Sequence, residues 1–237
     1  MTEQRRLFKL LLSTALSYPV GLLVGVPLLL PILNAAPGYL AMIDRLQQGD
    51  RRSAVKLLLV WALTLAVCGA LSLALWPASV ESHVINGVAY RDEMFRWIRT
   101  GEGREGHLSG FLPQHLLHLA AYVALCLATA SVVSILMGAV LMNYMSFYVV
   151  SLARAGVPLT VVLALGWPPY AIARVTAFCI LGAVLAEPLL AKVRRYPYEG
   201  LRGALPYLRI AALLILADWT IKALVAPLWA SWLRAYL

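Results

Sequence analysis

Charge is scarce in this chain: Asp, Glu, Lys and Arg make up 13% of its 237 residues. Soluble domains carry about a quarter, so a soluble enzyme or a solvated binding module is a poor fit. Cysteine is scarce too. Cys68, Cys126 and Cys179 all lie in apolar runs and form no CxxC pair, which leaves neither a disulfide framework nor a thiolate metal site. There are four histidines and no HExxH, no phosphate-cradling glycine loop and no Ser/His/Asp order. Catalytic chemistry of the soluble kind has no foothold, and no cofactor is expected.

What fills the chain instead is hydrophobic sequence, 62% of all residues. Several runs reach the roughly 20 residues that a helix needs to cross ~30 Å of hydrocarbon. Backbone groups in that layer must bond one another, so helices are expected. The fold class is therefore all-α: a polytopic transmembrane bundle of five or six spans, forming one integral membrane domain over 1–237. The net charge of +9 comes from Lys and Arg flanking the apolar runs. That placement fits topology signals and contact with the lipid bilayer, including its anionic lipids, rather than nucleic acid.

The basic lead-in Met1–Lys9 precedes an apolar stretch, Leu10–Leu33, interrupted by Pro19, Pro27 and Pro31. Proline removes a backbone donor and clashes with the preceding turn, which predicts a kinked crossing or a hairpin. The positive-inside rule wants Arg5–Arg6 and Arg51–Arg52 on one side, and a hairpin provides that. Residues 37–56 read as a cytoplasmic linker, with a short amphipathic helix at Tyr39, Leu40, Ile43 and Leu46. Ala54–Trp76 is a clean span ended by Pro77. Residues 78–113 hold five acids against four Arg and form an extracytoplasmic loop with an amphipathic helix around Asp92–Ile98.

From Gln114 the pattern tightens. A span over Leu116–Val140 is expected, then a pair of broken half-helices around 140–167, Asn143–Ala153 and Val157–Leu165, separated by Ala155–Pro158. Tyr170–Leu190 crosses again. The linker 192–209 has five basic residues against Glu199 and reads as cytoplasmic. The last span, Ile210–Pro227, ends in an aromatic anchor.

Ionisable groups at membrane depth mark the candidate sites. Asp218 and Lys222, four residues apart on one helix, predict a self-neutralised pair. Arg174 and Glu187 lie near opposite ends of one span and are expected to snorkel to their own interfaces. Asn143, Tyr144 and Arg154 predict a polar cluster at the helix break. His107, His115 and His118 are the only set that suggests a metal, since His115 and His118 share one helix face; three or four converging ligands would be required. Small residues at Gly138, Ala139, Gly182, Ala183 and Ala186 predict close helix contacts.

From Gln114 onward the spacing also resembles the stage II sporulation protein M family. Gln114–His115 takes the place of that family's paired asparagines, and Asn143–Tyr144 that of its Asn-Gly. Trp167–Arg174 stands where its Pro-His-Gly stretch would fall, and Ala217–Ala223 where its last motif would. The resemblance spans residues 54–230, shares Asn143 and a proline, and implies a non-enzymatic partner in membrane complexes of the cell envelope. The leading expectation is thus a non-catalytic scaffold or complex subunit in the cytoplasmic membrane, multi-pass, with a protein partner or a second copy of itself. The alternative is a transport protein, such as the permease half of an ATP-driven exporter coupled through the 39–46 helix. An intramembrane metal enzyme ranks last.

Overall fold

The computed structural model describes residues 3–76, 81–194 and 200–237. Pro77, the start of the expected outer loop (78–80) and the middle of the 192–209 linker (195–199) lie outside the described residues. All regular structure among the described residues is helical: α1 (Glu3–Val24), α2 (Leu29–Leu46), α3 (Arg51–Leu75), α4 (Gly87–Thr100), a 3-10 turn (Arg104–Gly106), α5 (Leu108–Thr129), α6 (Val132–Arg154), α7 (Leu159–Leu165), α8 (Pro169–Arg194) and α9 (Gly200–Arg234). Six of these, α1, α3, α5, α6, α8 and α9, are long and apolar enough to cross a membrane. The chain is a multi-pass helical membrane protein.

The first apolar segment is a hairpin of two long helices. Pro19 lies inside α1 without ending it. The turn comes at Gly25, whose φ of 75° belongs to the left-handed region that glycine adopts without steric cost. α2 then returns the full distance. Arg6 at the head of α1 donates to Gln48 just past α2 (3.2 Å) and pairs with Asp44 (3.6 Å). Arg6 and Arg51 therefore stand at one end of the bundle. The stretch expected as a separate interfacial helix, Tyr39–Leu46, is the second half of α2, with Met42, Ile43 and Leu46 buried. Its apolar spacing continues without a break from Leu29, so it belongs to the core. Asp50 caps α3 by accepting from the Ser53 N–H (3.0 Å), and hydrogen bonding from the Ser53 side chain, then from its backbone, holds the carboxyl below the usual range.

The expected crossing Leu116–Val140 is instead divided. α5 stops at Thr129, and α6 runs unbroken from Val132 to Arg154, through the region expected to be broken. Only α7 is a short helix there. The turn uses two non-glycine residues in left-handed geometry, Ala130 (φ 48°) and Ser131 (φ 66°). The bonds of Ser131 hold it: its N–H donates to Cys126 O (3.0 Å) and its hydroxyl to Gly182 O on α8 (2.6 Å).

A knot of polar groups ties the α1–α2 hairpin to α3 and α6. Asn143 Oδ1 accepts from Tyr18 Oη (2.6 Å) and Asn34 Nδ2 (3.1 Å), while Trp61 Nε1 donates to Asn34 O (2.8 Å). Ser17 donates to Asn34 Oδ1 (2.7 Å). At the Arg51 end, the Arg51 guanidinium forks onto Glu187 of α8 (Nη2–Oε2 2.7 Å) and donates to Gly203 O of α9 (2.7 Å). Glu187 is thus paired across helices rather than reaching for the interface. At the opposite end α4 lies across the bundle, and its Met94, Trp97 and Ile98 are buried among Tyr148, Leu152, Trp229 and Leu233. Of the small residues, Ala139, Ala183 and Ala186 are fully buried.

Candidate functional site

Beneath α4 lies a cavity of about 390 Å³, walled by α3, α4, α5, α6, α8 and α9. Most of its lining is apolar: Trp61, Met137, Met142, Met145, Trp167 and Phe178. Its polar wall is built from residues far apart in sequence. Gly101 ends α4 with φ 77°, and the chain dips from there so that Glu105 reaches the interior. Gly106 allows the dip, because a Cβ there would stand 2.7 Å from Trp97 Nε1.

Glu105 then accepts a hydrogen bond from the Lys222 ammonium of α9. Lys222 Nζ also lies 3.2 Å from His115 Nε2 on α5 and 4.6 Å from the centre of the Phe111 ring. An ammonium only donates, so His115 Nε2 accepts and Nδ1 carries the imidazole proton. That Nδ1 stands 3.8 Å from Asp218 Oδ2, beyond hydrogen-bond reach. Asp218 instead receives a two-pronged fork from Arg174 of α8, Nε–Oδ2 2.9 Å and Nη2–Oδ1 2.9 Å. Fork-to-fork pairs of this kind are the strong ones.

Five ionisable groups from four parts of the chain therefore form one chain of contacts, Glu105–Lys222–His115–Asp218–Arg174. Asp218 and Lys222 are buried to 1% exposure, whereas the Arg174 side chain keeps 28%. Arg174 and Lys222 both line the cavity, and Arg174 is the less buried of the two. Tyr90, Tyr144 and Tyr170 stand around it; the Tyr90 and Tyr144 rings are 4.5 Å apart. Burial, with Glu105 nearby, pushes the Tyr90 phenol well above its ordinary value, so it offers a neutral hydroxyl.

The sequence-selected residues are distributed differently from the expectation. Asp218 and Lys222 do not neutralise each other. A bidentate partner takes both oxygens of Asp218, and Lys222, one turn further along α9, turns to Glu105. Arg174 pairs inside the bundle instead of snorkelling. Asn143, Tyr144 and Arg154 separate: Asn143 belongs to the hairpin knot and Tyr144 to the cavity wall. Arg154 closes α6 by donating to Leu73 O. Eleven residues make three helical turns, so Asn143 and Arg154 share a face yet stand ~16 Å apart. His115 and His118 both border the cavity, while His107 is exposed at the head of α5. Among the described residues no three His, Cys, Asp or Glu side chains gather as metal ligands.

Sequence reasoning missed Glu105 as the partner of Lys222, and it missed Tyr90 and Tyr170. The available signal was the buried lysine itself, which demands a carboxylate; Glu93, Glu102 and Glu105 were all in reach of that argument. Comparison with protein-family models, with curated proteins and with solved structures finds no match for this chain.

Proposed function

We propose that this protein is a transport protein of the cytoplasmic membrane, and that the cavity beneath α4 is its substrate site. The observation that carries this reading is the buried ionic chain set into the wall of an otherwise apolar cavity. Ionisable groups inside a membrane bundle are costly and line substrate or ion pathways, and apolar pockets with a few convergent polar groups are the usual form of small-molecule sites. The lining carries Glu93 and Glu105 against Arg174 and Lys222, so its formal charges balance. That balance suits a small amphipathic molecule, neutral or zwitterionic, whose polar end both donates and accepts. Arg174 and the neighbouring tyrosines would hold that end, with the Trp and Met side chains around the apolar body.

The placement of Arg and Lys supports the Arg51 end as the cytoplasmic one. A separate coupling helix for an ATPase has no support at 39–46, since that segment is the second half of α2 and packs into the bundle through Met42, Ile43 and Leu46. The scaffold reading, favoured by the spacing resemblance, is the second reading and gives the opposite result in the same experiment.

Gly138 borders the cavity, and a Cβ there would meet nothing within 4 Å. In a background with Cys68, Cys126 and Cys179 replaced, Gly138→Cys places a thiol in the cavity. Membrane-impermeant thiol reagents are then applied to right-side-out and to inverted vesicles. A transporter exposes the site to each side in turn, so labelling is expected from both. Labelling from one side alone, or from neither, would overturn transport and favour the scaffold.

A further inference from the structure

A second hollow, about 710 Å³, opens on the outer surface of the molecule between α1 and α2. Its walls are Leu12, Leu16 and Val20 on α1 and Leu33, Ala36, Pro37 and Leu40 on α2, and Leu57 of α3 also lines it. Two features of α2 keep it open. Pro37 interrupts the helix ladder, and Ala36 and Ala41 are too short to fill the space. At one end of the groove stand Arg6, Lys9 and Asp44. Arg6 is engaged by Gln48 and by Asp44 at 3.6 Å. The Lys9 ammonium is exposed and has no hydrogen bond or ion pair among the described residues. Two cations against one carboxylate leave this rim positive.

From these features we infer a binding site for one anionic phospholipid, with an acyl chain along the α1–α2 groove and the headgroup phosphate on Arg6 and Lys9. The orientation agrees with the bilayer. The groove runs along the helices from Lys9 inward to Val20, ~16 Å by helical rise, with its charged rim at the Arg51 end, where lipid phosphates lie. Exposed leucines supply the chain contacts, and the net positive rim selects a phosphate without a compensating amine. This site is separate from the cavity and does not depend on what the cavity carries.

Native mass spectrometry of the full chain in mild detergent tests the assignment, with phosphatidylglycerol and phosphatidylethanolamine of matched chains titrated in turn. One phosphatidylglycerol is expected to be retained in preference to phosphatidylethanolamine. Basic side chains near a lipid surface contribute ~1 kcal/mol each, so the pair Arg6→Gln with Lys9→Gln should weaken retention by about tenfold or more. Lys9→Gln alone, which disturbs no contact in the fold, should show part of that loss. Leu16→Trp, which fills the groove and leaves the charges in place, should abolish retention. Equal retention of the two lipids, or unchanged retention in Lys9→Gln and the double variant, would overturn the assignment. So would displacement by glycerol phosphate alone, which would mark a free phosphate site rather than a lipid site.

Discussion

At the scale of single residues, the chemistry of this protein rests on how few charges it places inside and how completely each is answered. Asp218 exemplifies this. Both its oxygens are taken by Arg174 at 2.9 Å, and the carboxylate is almost sealed from the cavity. Asp218→Asn leaves the guanidinium without its counter-charge. Breaking a buried pair by removing one partner costs about 3–5 kcal/mol. The Arg174 side chain lines the cavity and keeps 28% exposure, so the lower end, about 3 kcal/mol, is expected, read as a fall in the thermal unfolding midpoint in detergent. The paired replacement Arg174→Met with Asp218→Leu removes both charges and should recover most of that loss, because neither group is then stranded. If Asp218→Asn alone is neutral, the fork is not holding α8 to α9. The sequence made both residues visible as intramembrane charges, but not their pairing. Spacing of four on α9 favoured Lys222, and nothing in a linear pattern reports that α8 brings a planar, two-pronged donor to the same carboxylate.

At the scale of elements, what the sequence revealed and what it hid divide along a physical line. α3 and α8 were legible because long apolar runs bounded by charge or proline have one structural solution in lipid, whereas α9 was legible only over Ile210–Pro227, since its helix already starts at Gly200 inside the expected linker and continues past Pro227 to Arg234. The turn at Ala130–Ser131 was hidden because it uses neither glycine nor proline. Its left-handed residues are held by Ser131 bonding to Gly182, fifty-one residues away, which is a tertiary fact. The α1–α2 hairpin was half legible. The prolines announced an interruption, whereas the length of the return depended on packing against α3. That packing is testable through glycine. At Gly38 an added Cβ would lie 2.5 Å from Trp61 Cδ2, and the buried ring is fixed by its bond to Asn34 O (2.8 Å). Gly38→Ala should therefore destabilise by about 1–3 kcal/mol through overpacking. Gly138→Ala, the same change inside α6 with open space around it, should be neutral or stabilising by up to ~1 kcal/mol from helix propensity. Comparing the two unfolding midpoints isolates contact from propensity. Equal effects would mean that α2 does not approach α3 as closely as described.

At the scale of the whole molecule, the two ends differ in charge, and the first described residue, Glu3, and Leu237 lie at opposite ends. Arg6, Arg45, Arg51 and Arg52 gather at one end, and α4 with its mixed charges covers the other. Six helices are long and apolar enough to cross by themselves, and six crossings would return the C-terminus to the side of the N-terminus. The parity changes because α2 also runs the full distance despite its Asn34, Asp44 and Arg45: its far end meets Gly25 near His83, and its near end meets Arg6. Along the bundle axis the chain runs twice in the α1–α2 hairpin, once in α3, twice in the α5–α6 hairpin, and once each in α8 and α9. The α5–α6 tip carries no charge, since residues 106–153 contain no Asp, Glu, Lys or Arg. Whether that tip emerges or stays within the bilayer leaves the parity unchanged, because the hairpin returns either way. Arg234, near the C-terminus, donates to Ile98 O on α4 (2.7 Å), which fixes the end of the chain on the α4 side. On the proposed orientation, with the basic end cytoplasmic, a phosphatase fused after Leu237 should be active and a fluorescent protein fused there dark, while an N-terminal tag is reached only from the cytoplasm. A cytoplasmic C-terminus would mean that α1 and α2 do not form a returning hairpin in the bilayer, and the knot of Tyr18, Asn34 and Asn143 would then have to be broken.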